Sequence, residues 1–257
     1  MIPLPDAVKH WIKDLFGAAG YAVINTRWHY GHDGLYTLHN DRFRRDPAFR
    51  AAYERGLKSS NGVDSDNEWR IHVALWTAAN ALRVPGDFVE CGVNTGFVSS
   101  AIMQYLDWRA VEKRFYLVDT FSGPVLGQYS AEEMACGRVT IAEGAIAAGA
   151  YATDVERVRA NFAEWPNAVV VKGAVPEVLP SLGGERVAYL HIDMNCAHPE
   201  RAALEYFWER LSPGGFVLFD DYAYTGADCQ ADAIDAAARE LGARVLALPT
   251  GQGLIVR

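Results

Sequence analysis

The chain has 257 residues, 50% of them hydrophobic, with 24 basic and 32 acidic side chains and a net charge of -8. That length accommodates one large core with at most a small appendage, and the acidic balance disfavours a polyanion such as nucleic acid as partner. No run of about 18 uncharged apolar residues occurs, and the opening "MIPLPDAVKHWIKDLF" carries charges inside its apolar stretch, so neither a membrane span nor a secretion signal is expected and a cytoplasmic protein is.

Residues 1–85 are expected to form a helical cap over the ligand edge of a second region, 86–257. Within it, "RWHYGHDGLYTLHNDRFRRDPAF" is rich in His, Arg and aromatic residues. His29, His32 and His39 are candidate acceptor contacts there, solvated loop positions being the simpler alternative. "SDNE" at 65–68 has the capping-box pattern and predicts a helix through Trp69, Val73 and Trp76 that ends before "VPGD".

From residue 88 short apolar runs alternate with helical patterns. The predicted strands are "FVECG" (88–92), "FYLVD" (115–119), "AVVVKG" (168–173), "VAYLHID" (187–193), "FVLFDD" (216–221), "RVLALP" (244–249) and "GLIVR" (253–257). Their continuous apolar character fits strands covered on both faces, and hence an α/β, doubly wound, largely parallel sheet. The Gly- and Ala-rich segment from Ser122 to about Thr153 reads as a long insertion after the second strand, expected to act as a mobile lid. Leu204, Phe207, Trp208 and Leu211 fall at helical spacing behind Pro199, with "SPGG" ending that helix. Ala231, Ile234, Ala238 and Leu241 mark another, stopped by Gly242. The last two strands are separated by "TGQG", too short for a parallel crossover, so they form an antiparallel hairpin. Seven strands with that ending are the class I methyltransferase arrangement, whereas a nicotinamide-binding domain needs six parallel strands.

Gly92 and Gly96 bracket the turn after the first of these strands, where backbone can approach a ligand and a helix start offers free amides. The spacing departs from the three-glycine dinucleotide fingerprint and suits S-adenosylmethionine better. Glu90 inside the strand is expected to hydrogen-bond the turn or hold a cationic methionine amine. Asp119, ending the next strand, stands where nucleoside-binding folds put a ribose-gripping carboxylate, the alternative being a helix cap. Asp193, Asp220 and Asp221 close two strands on the same edge; three converging carboxylates ask for a positive charge between them, and a divalent cation such as Mg²⁺ answers that. The alternative makes Asp221 a helix cap and Asp220 a structural acceptor. His198 is a candidate general base or helix cap, His191 a core residue, and Gln252 a possible substrate contact or mere turn residue. Cys91, Cys136, Cys196 and Cys229 show no CxxC pairing and read as reduced, mostly buried thiols.

Taken in order, "VPGDFVECGVNTGFVSS", "LVDTFSG", "VKGAVPEVLP", "HIDMN" and "LSPGGFVLFDDY" resemble the macrocin O-methyltransferase family, metal-dependent sugar O-methyltransferases that use S-adenosylmethionine. The resemblance spans about Val84 to Tyr222. It implies donor contacts at Glu90, Gly92, Ser99 or Ser100 and Asp119, with Cys91, Thr95, Gly96, Thr120 and Asp193 completing the set. It also implies a Mg²⁺ site at Asp193, Asp220 and Asp221, and a homodimer. Where the family tends to read Asp-Gly-Asp, this chain has Asp193, Met194 and Asn195, so a different acceptor pocket is expected. The expected function is metal-dependent methyl transfer to a hydroxyl of a sugar on a natural product or polysaccharide, with Asp193 as ligand and base. A catechol-like acceptor, a noncatalytic nucleoside-binding module and a nicotinamide-dependent oxidoreductase are the alternatives.

Overall fold

The computed structural model describes residues 4–21, 23, 30–60 and 62–257. The chain divides into two compact units, one ending at Asp41 and the other Arg42–Arg257. The first contains helix α1 (Asp6–Ala18) and a hairpin of β1 (Tyr30–His32) and β2 (Leu35–Thr37). Asp33 and Gly34 both have positive φ, 51° and 70°, which suits a two-residue hairpin turn. His32 ends β1 and His39 follows β2; His29 lies outside the described residues.

The second unit opens with α2 (Pro47–Ser59), whose N-terminus is capped by Asp46 accepting from the Ala48 amide at 3.0 Å, with proline at the first helical position. Next is α3 (Glu68–Ala81), in the predicted place but without the predicted capping box. Its N-cap is Asn67, with no side-chain cap, and the Glu68 carboxylate binds Arg44 at 2.7 Å. A stronger charged partner has taken the group the box would need.

The rest follows as β3 (Asp87–Cys91), α4 (Phe97–Tyr105), β4 (Phe115–Asp119), α5 (Ala131–Ala135), α6 (Arg138–Ala147), α7 (Val155–Phe162), β5 (Ala168–Lys172), β6 (Val187–Ile192), α8 (Ala197–Trp208), β7 (Leu211–Phe219), α9 (Asp228–Glu240), β8 (Leu246–Ala247) and β9 (Gly253–Val256). Among the described residues these strands form a seven-stranded sheet in the order β5-β4-β3-β6-β7-β9-β8. Pairings are parallel from β5 to β7, and β9 runs antiparallel to both its neighbours. The terminal hairpin is as expected.

Both sheet faces are apolar, which explains the unbroken hydrophobic runs. Phe88, Phe115, Leu117, Tyr189 and Leu218 pack in one core with residues of α2, α3 and α4. The alternate residues Val89, Val118, Leu190, Ile192 and Val217 pack in a second core with Leu204 and Phe207 of α8 and Ile234 of α9. Two local expectations change. Leu211 leaves the α8 stripe to open β7, and "SPGG" lies inside that strand: Val187 pairs with Leu211 but Tyr189 with Phe216, so the intervening residues form an irregularity in which Gly214 takes φ 80°. "RVLALP" supplies only two strand residues, at the sheet edge where Leu246 is exposed. The segment expected to be a lid is largely helical, α5 opening on a complete capping box between Ser130 and Glu133.

The order reverses between β3 and β6. Ligands of such sheets bind outside the carboxyl ends of the strands at this switch point, and the glycine turn and strand-end acids all lie there.

Candidate active site

A cavity enclosing about 640 Å³ of empty space, counted out to solvent, opens at the switch point. It is lined by Gly92, Asp119, Thr120 and Asp193 from the strand ends, Gln128 and Tyr151 from the insertion, and Pro199 from α8, among others. Two acids line it and, among its described lining residues, no lysine or arginine does.

The glycine turn owes its glycines to the protein itself. Gly92 has φ 94°, and a Cβ there would stand 1.7 Å from the Asp193 carbonyl oxygen on the neighbouring strand. Gly96 has φ 91°, and its Cβ would stand 2.5 Å from the Phe162 ring. The clearance therefore lets β3 and β6 approach each other at the cavity floor and seats α7 beside the turn. Asp119 holds the turn open toward the cavity: its Oδ2 accepts from the amides of Val93 and Asn94, both at 2.8 Å, and its Oδ1 from Phe121 at 2.6 Å.

Behind the cavity a line of alternating charges runs across β3, β6, β7 and α3. Glu90 Oε1 lies 2.8 Å from His191 Nδ1, and His191 Nε2 lies 3.8 Å from Asp220 Oδ1. Asp220 accepts from Gln252 Nε2 at 3.0 Å and from Arg70 Nη1, which also reaches Asp221 Oδ1 at 3.1 Å. The Arg70 guanidinium lies over the Tyr224 ring, 4.7 Å from its centroid. Burial alone would lower His191, but the Asp220 and Glu90 carboxylates outweigh it and lift the imidazole to about 10. Burial likewise raises Asp220, yet Arg70 and His191 win and hold it well below the usual carboxylate range. Asp193 goes the other way. Burial and then the charges of Asp220 and Asp221 raise it well above an ordinary carboxyl, and Asn195 Nδ2 donates to its Oδ1 at 3.2 Å. Glu200, fully enclosed, is pushed up to about 8 by burial and then by Asp221, while Gln230 and the Met194 amide, 3.1 and 3.2 Å away, pull it back.

The structure brings together Gly92, Asp119, Thr120 and Asp193 on the cavity wall. Thr120 Oγ1 donates to the Gly123 carbonyl at 2.6 Å. Glu90 is buried on the side of the charge line; among the described residues its Oε2 has no partner, an acceptor suited to a cationic group. The Cys91 side chain sits in the second core. Ser99 and Ser100 are sealed in α4, Ser100 touching Ser59 of α2 at 3.3 Å, and Thr95 offers its carbonyl to Asn161. His198 is exposed on α8 and does not line the cavity. Gln252 is spent on Asp220 and Thr250. Sequence reasoning missed Arg70 and the Glu90–His191 contact. It also missed the anchoring of the insertion, in which the fully buried Glu133 accepts from the Ala197 amide of α8 at 2.9 Å and Tyr129 donates to the Asn195 carbonyl at 3.2 Å.

The expected metal set does not fit as arranged. Hard carboxylate oxygens are the right chemistry for Mg²⁺, but Arg70 already satisfies Asp220 and Asp221. Among the described residues no three His, Cys, Asp or Glu side chains stand where they could hold an ion. For Asp220 and Asp221 the positive charge comes from the chain itself, through Arg70.

Comparison with known proteins bears on the family and the fold. A family model described as Macrocin-O-methyltransferase (TylF) matches residues 70–241. A curated relative, the 8-demethyl-8-(2,3-dimethoxy-alpha-L-rhamnosyl)-tetracenomycin-C 4'-O-methyltransferase of Streptomyces olivaceus, is 34% identical over 148 residues, 54% of each chain; the match thus spans about half that relative's length. The solved structure of the O-methyltransferase NovP superposes with a TM-score of 0.61 at 20% identity, over 82% of this chain and 91% of that one. CalS11, a calicheamicin methyltransferase, gives 0.52 at 19% identity, over 82% and 93%. At those identities the two structures establish the fold, that of class I methyltransferases. With the family match covering the charge line, the glycine turn and every strand-end acid, the chain belongs to the macrocin O-methyltransferase family.

Proposed function

We propose that the protein is an S-adenosylmethionine-dependent O-methyltransferase acting on a sugar hydroxyl of a natural product or polysaccharide. The observation that carries this reading is the placement of Asp193, a carboxylate on the cavity wall at the switch point of a family fold. Asp119 and Asp193 on the wall, with no lysine or arginine in the described lining, give the cavity a negative character that favours a cationic donor. When bound, S-adenosylmethionine supplies a methyl group on a positively charged sulfur. Asp193 would take the proton from the acceptor hydroxyl as the methyl group is transferred to its oxygen. A carboxylate raised by its surroundings is the better base for this task. Asp119 fixes the turn, and Glu90 Oε2 offers a buried acceptor to the donor's amine. Holding the two reactants in line supplies much of the remaining rate.

Magnesium enters no step here. For Asp193, Asp220 and Asp221 to ligate an ion, Arg70 would have to release two of them, so a metal requirement is measured separately, by turnover and calorimetry with and without chelator. The relative's name specifies a 4'-O position on a rhamnosyl compound, which makes rhamnosylated compounds the first acceptors to try. The test is product mass after incubation with S-adenosylmethionine and a panel of rhamnosylated polyketides and catechols. A rhamnoside that gains one methyl, with none gained by the Asp193→Asn variant, supports the reading; methylation undiminished in that variant removes Asp193 from its role. The homodimer expected from the resemblance is checked by light scattering.

A further inference from the structure

Cys136 and Cys229 are 93 residues apart in the chain, yet their sulfurs stand 3.8 Å apart. Cys136 ends α5 and is exposed; Cys229 lies in the first turn of α9 and is partly exposed. The other two thiols are sealed in the interior, Cys91 at 0% and Cys196 at 1% exposure. The two accessible thiols are therefore the two in contact. Their neighbours fix the approach, since Arg138 Nη2 donates to Gln230 Oε1 at 2.6 Å and Glu133 ties α5 to the start of α8. Closing from contact to a bond of about 2.05 Å takes a movement of about 1.8 Å.

We propose that Cys136 and Cys229 form an oxidisable dithiol site that takes a low-molecular-weight disulfide as co-substrate and yields an intramolecular disulfide stapling α5 to α9. The exposed Cys136 thiolate attacks one sulfur of the small disulfide, forming a mixed disulfide and releasing one small thiol. Cys229 then loses its proton, attacks Cys136 Sγ and expels the second small thiol, so two protein thiols are oxidised as one small disulfide is reduced. Cys229 is held up first by burial and then by Cys136 itself, and capping Cys136 in the mixed disulfide removes the second contribution. The stapled segment is flanked by Gln128 and Tyr151, both on the cavity wall, so the disulfide restrains the covering of the donor site.

The test incubates the reduced full chain with oxidised glutathione, alkylates it and maps its peptides without reduction. A Cys136–Cys229 linked peptide, with free thiols in the denatured protein falling from four to two, is the expected result. Cys229→Ser is expected to stop at a glutathione adduct on Cys136. Two separate adducts in the wild type, two unreacted thiols, or a link through Cys91 or Cys196 would each overturn the site. The effect on donor exchange rests on the methyltransferase reading: release of S-adenosylhomocysteine slows in the oxidised protein and recovers with dithiothreitol. An unchanged rate in fully linked protein overturns the restraint, whereas failure of either form to bind S-adenosylhomocysteine sinks the methyltransferase reading and leaves the peptide map to decide the dithiol.

Discussion

Asp193 and Asp220 follow successive paired strands, yet their surroundings push them in opposite directions. Arg70 and His191 keep Asp220 ionised, while Asp193 has the negative pair beside it, with the Asn195 amide donating to its Oδ1. Asp193→Asn is therefore expected to reduce turnover by roughly 10²- to 10⁴-fold while calorimetric affinity for S-adenosylhomocysteine stays near wild type; an equal loss of both would mark it as a binding residue alone. Arg70→Gln leaves Asp220 and Asp221 facing each other in a poorly solvated place, which should cost about 3–5 kcal/mol in denaturant unfolding. Added Mg²⁺ should restore part of that loss in the variant and little in the wild type, because only the variant has carboxylates without their cation. His191 is raised from 6.5 to about 10 in the folded protein, so its contribution to stability is complete below pH 6.5 and is lost as pH rises through about 10. Melting temperature should fall over that window, and the gap between wild type and His191→Gln, about 3–5 kcal/mol near neutrality, should narrow toward its upper end.

At the scale of elements, the site depends on how far the chain reaches to complete it. The acids were legible because each ends an apolar run, and parallel strands put those ends on one edge. Arg70 was not, since its first-turn position on α3 lies 150 residues before Asp220 and nothing local marks it as a partner. Glu90 was singled out, but its pairing with His191 requires the β3–β6 register that places the two side by side. The Ser130–Glu133 capping box had a readable pattern inside a segment taken for a loose lid, whereas the pattern at 65–68 was readable and unused because Arg44 claims Glu68. Glu133 serves both its own helix and the Ala197 amide of α8. Glu133→Ala removes both contacts, so hydrogen exchange across α5 and α6 should rise well above that in Ser130→Ala, which loses the cap alone at about 1 kcal/mol; equal protection in the two variants would mean that the α8 contact anchors nothing.

For the molecule as a whole, the doubly wound sheet, the terminal hairpin and the two-faced core were legible, because continuous apolar strands and a short final connection admit few topologies; the strand order was not. Among the described residues no helix is long and apolar enough to cross a membrane. What the linear chain could not convey was charge balance in three dimensions: a cluster of acids reads the same whether an ion or an arginine neutralises it. The account's central claim is that the acid-lined cavity between β3 and β6 takes a cationic nucleoside donor. Calorimetric titration of the metal-free wild-type protein with S-adenosylmethionine and, separately, with NAD tests it most directly. The account predicts saturable binding of S-adenosylmethionine at one site per chain and none of NAD; binding of NAD in preference to S-adenosylmethionine would contradict it.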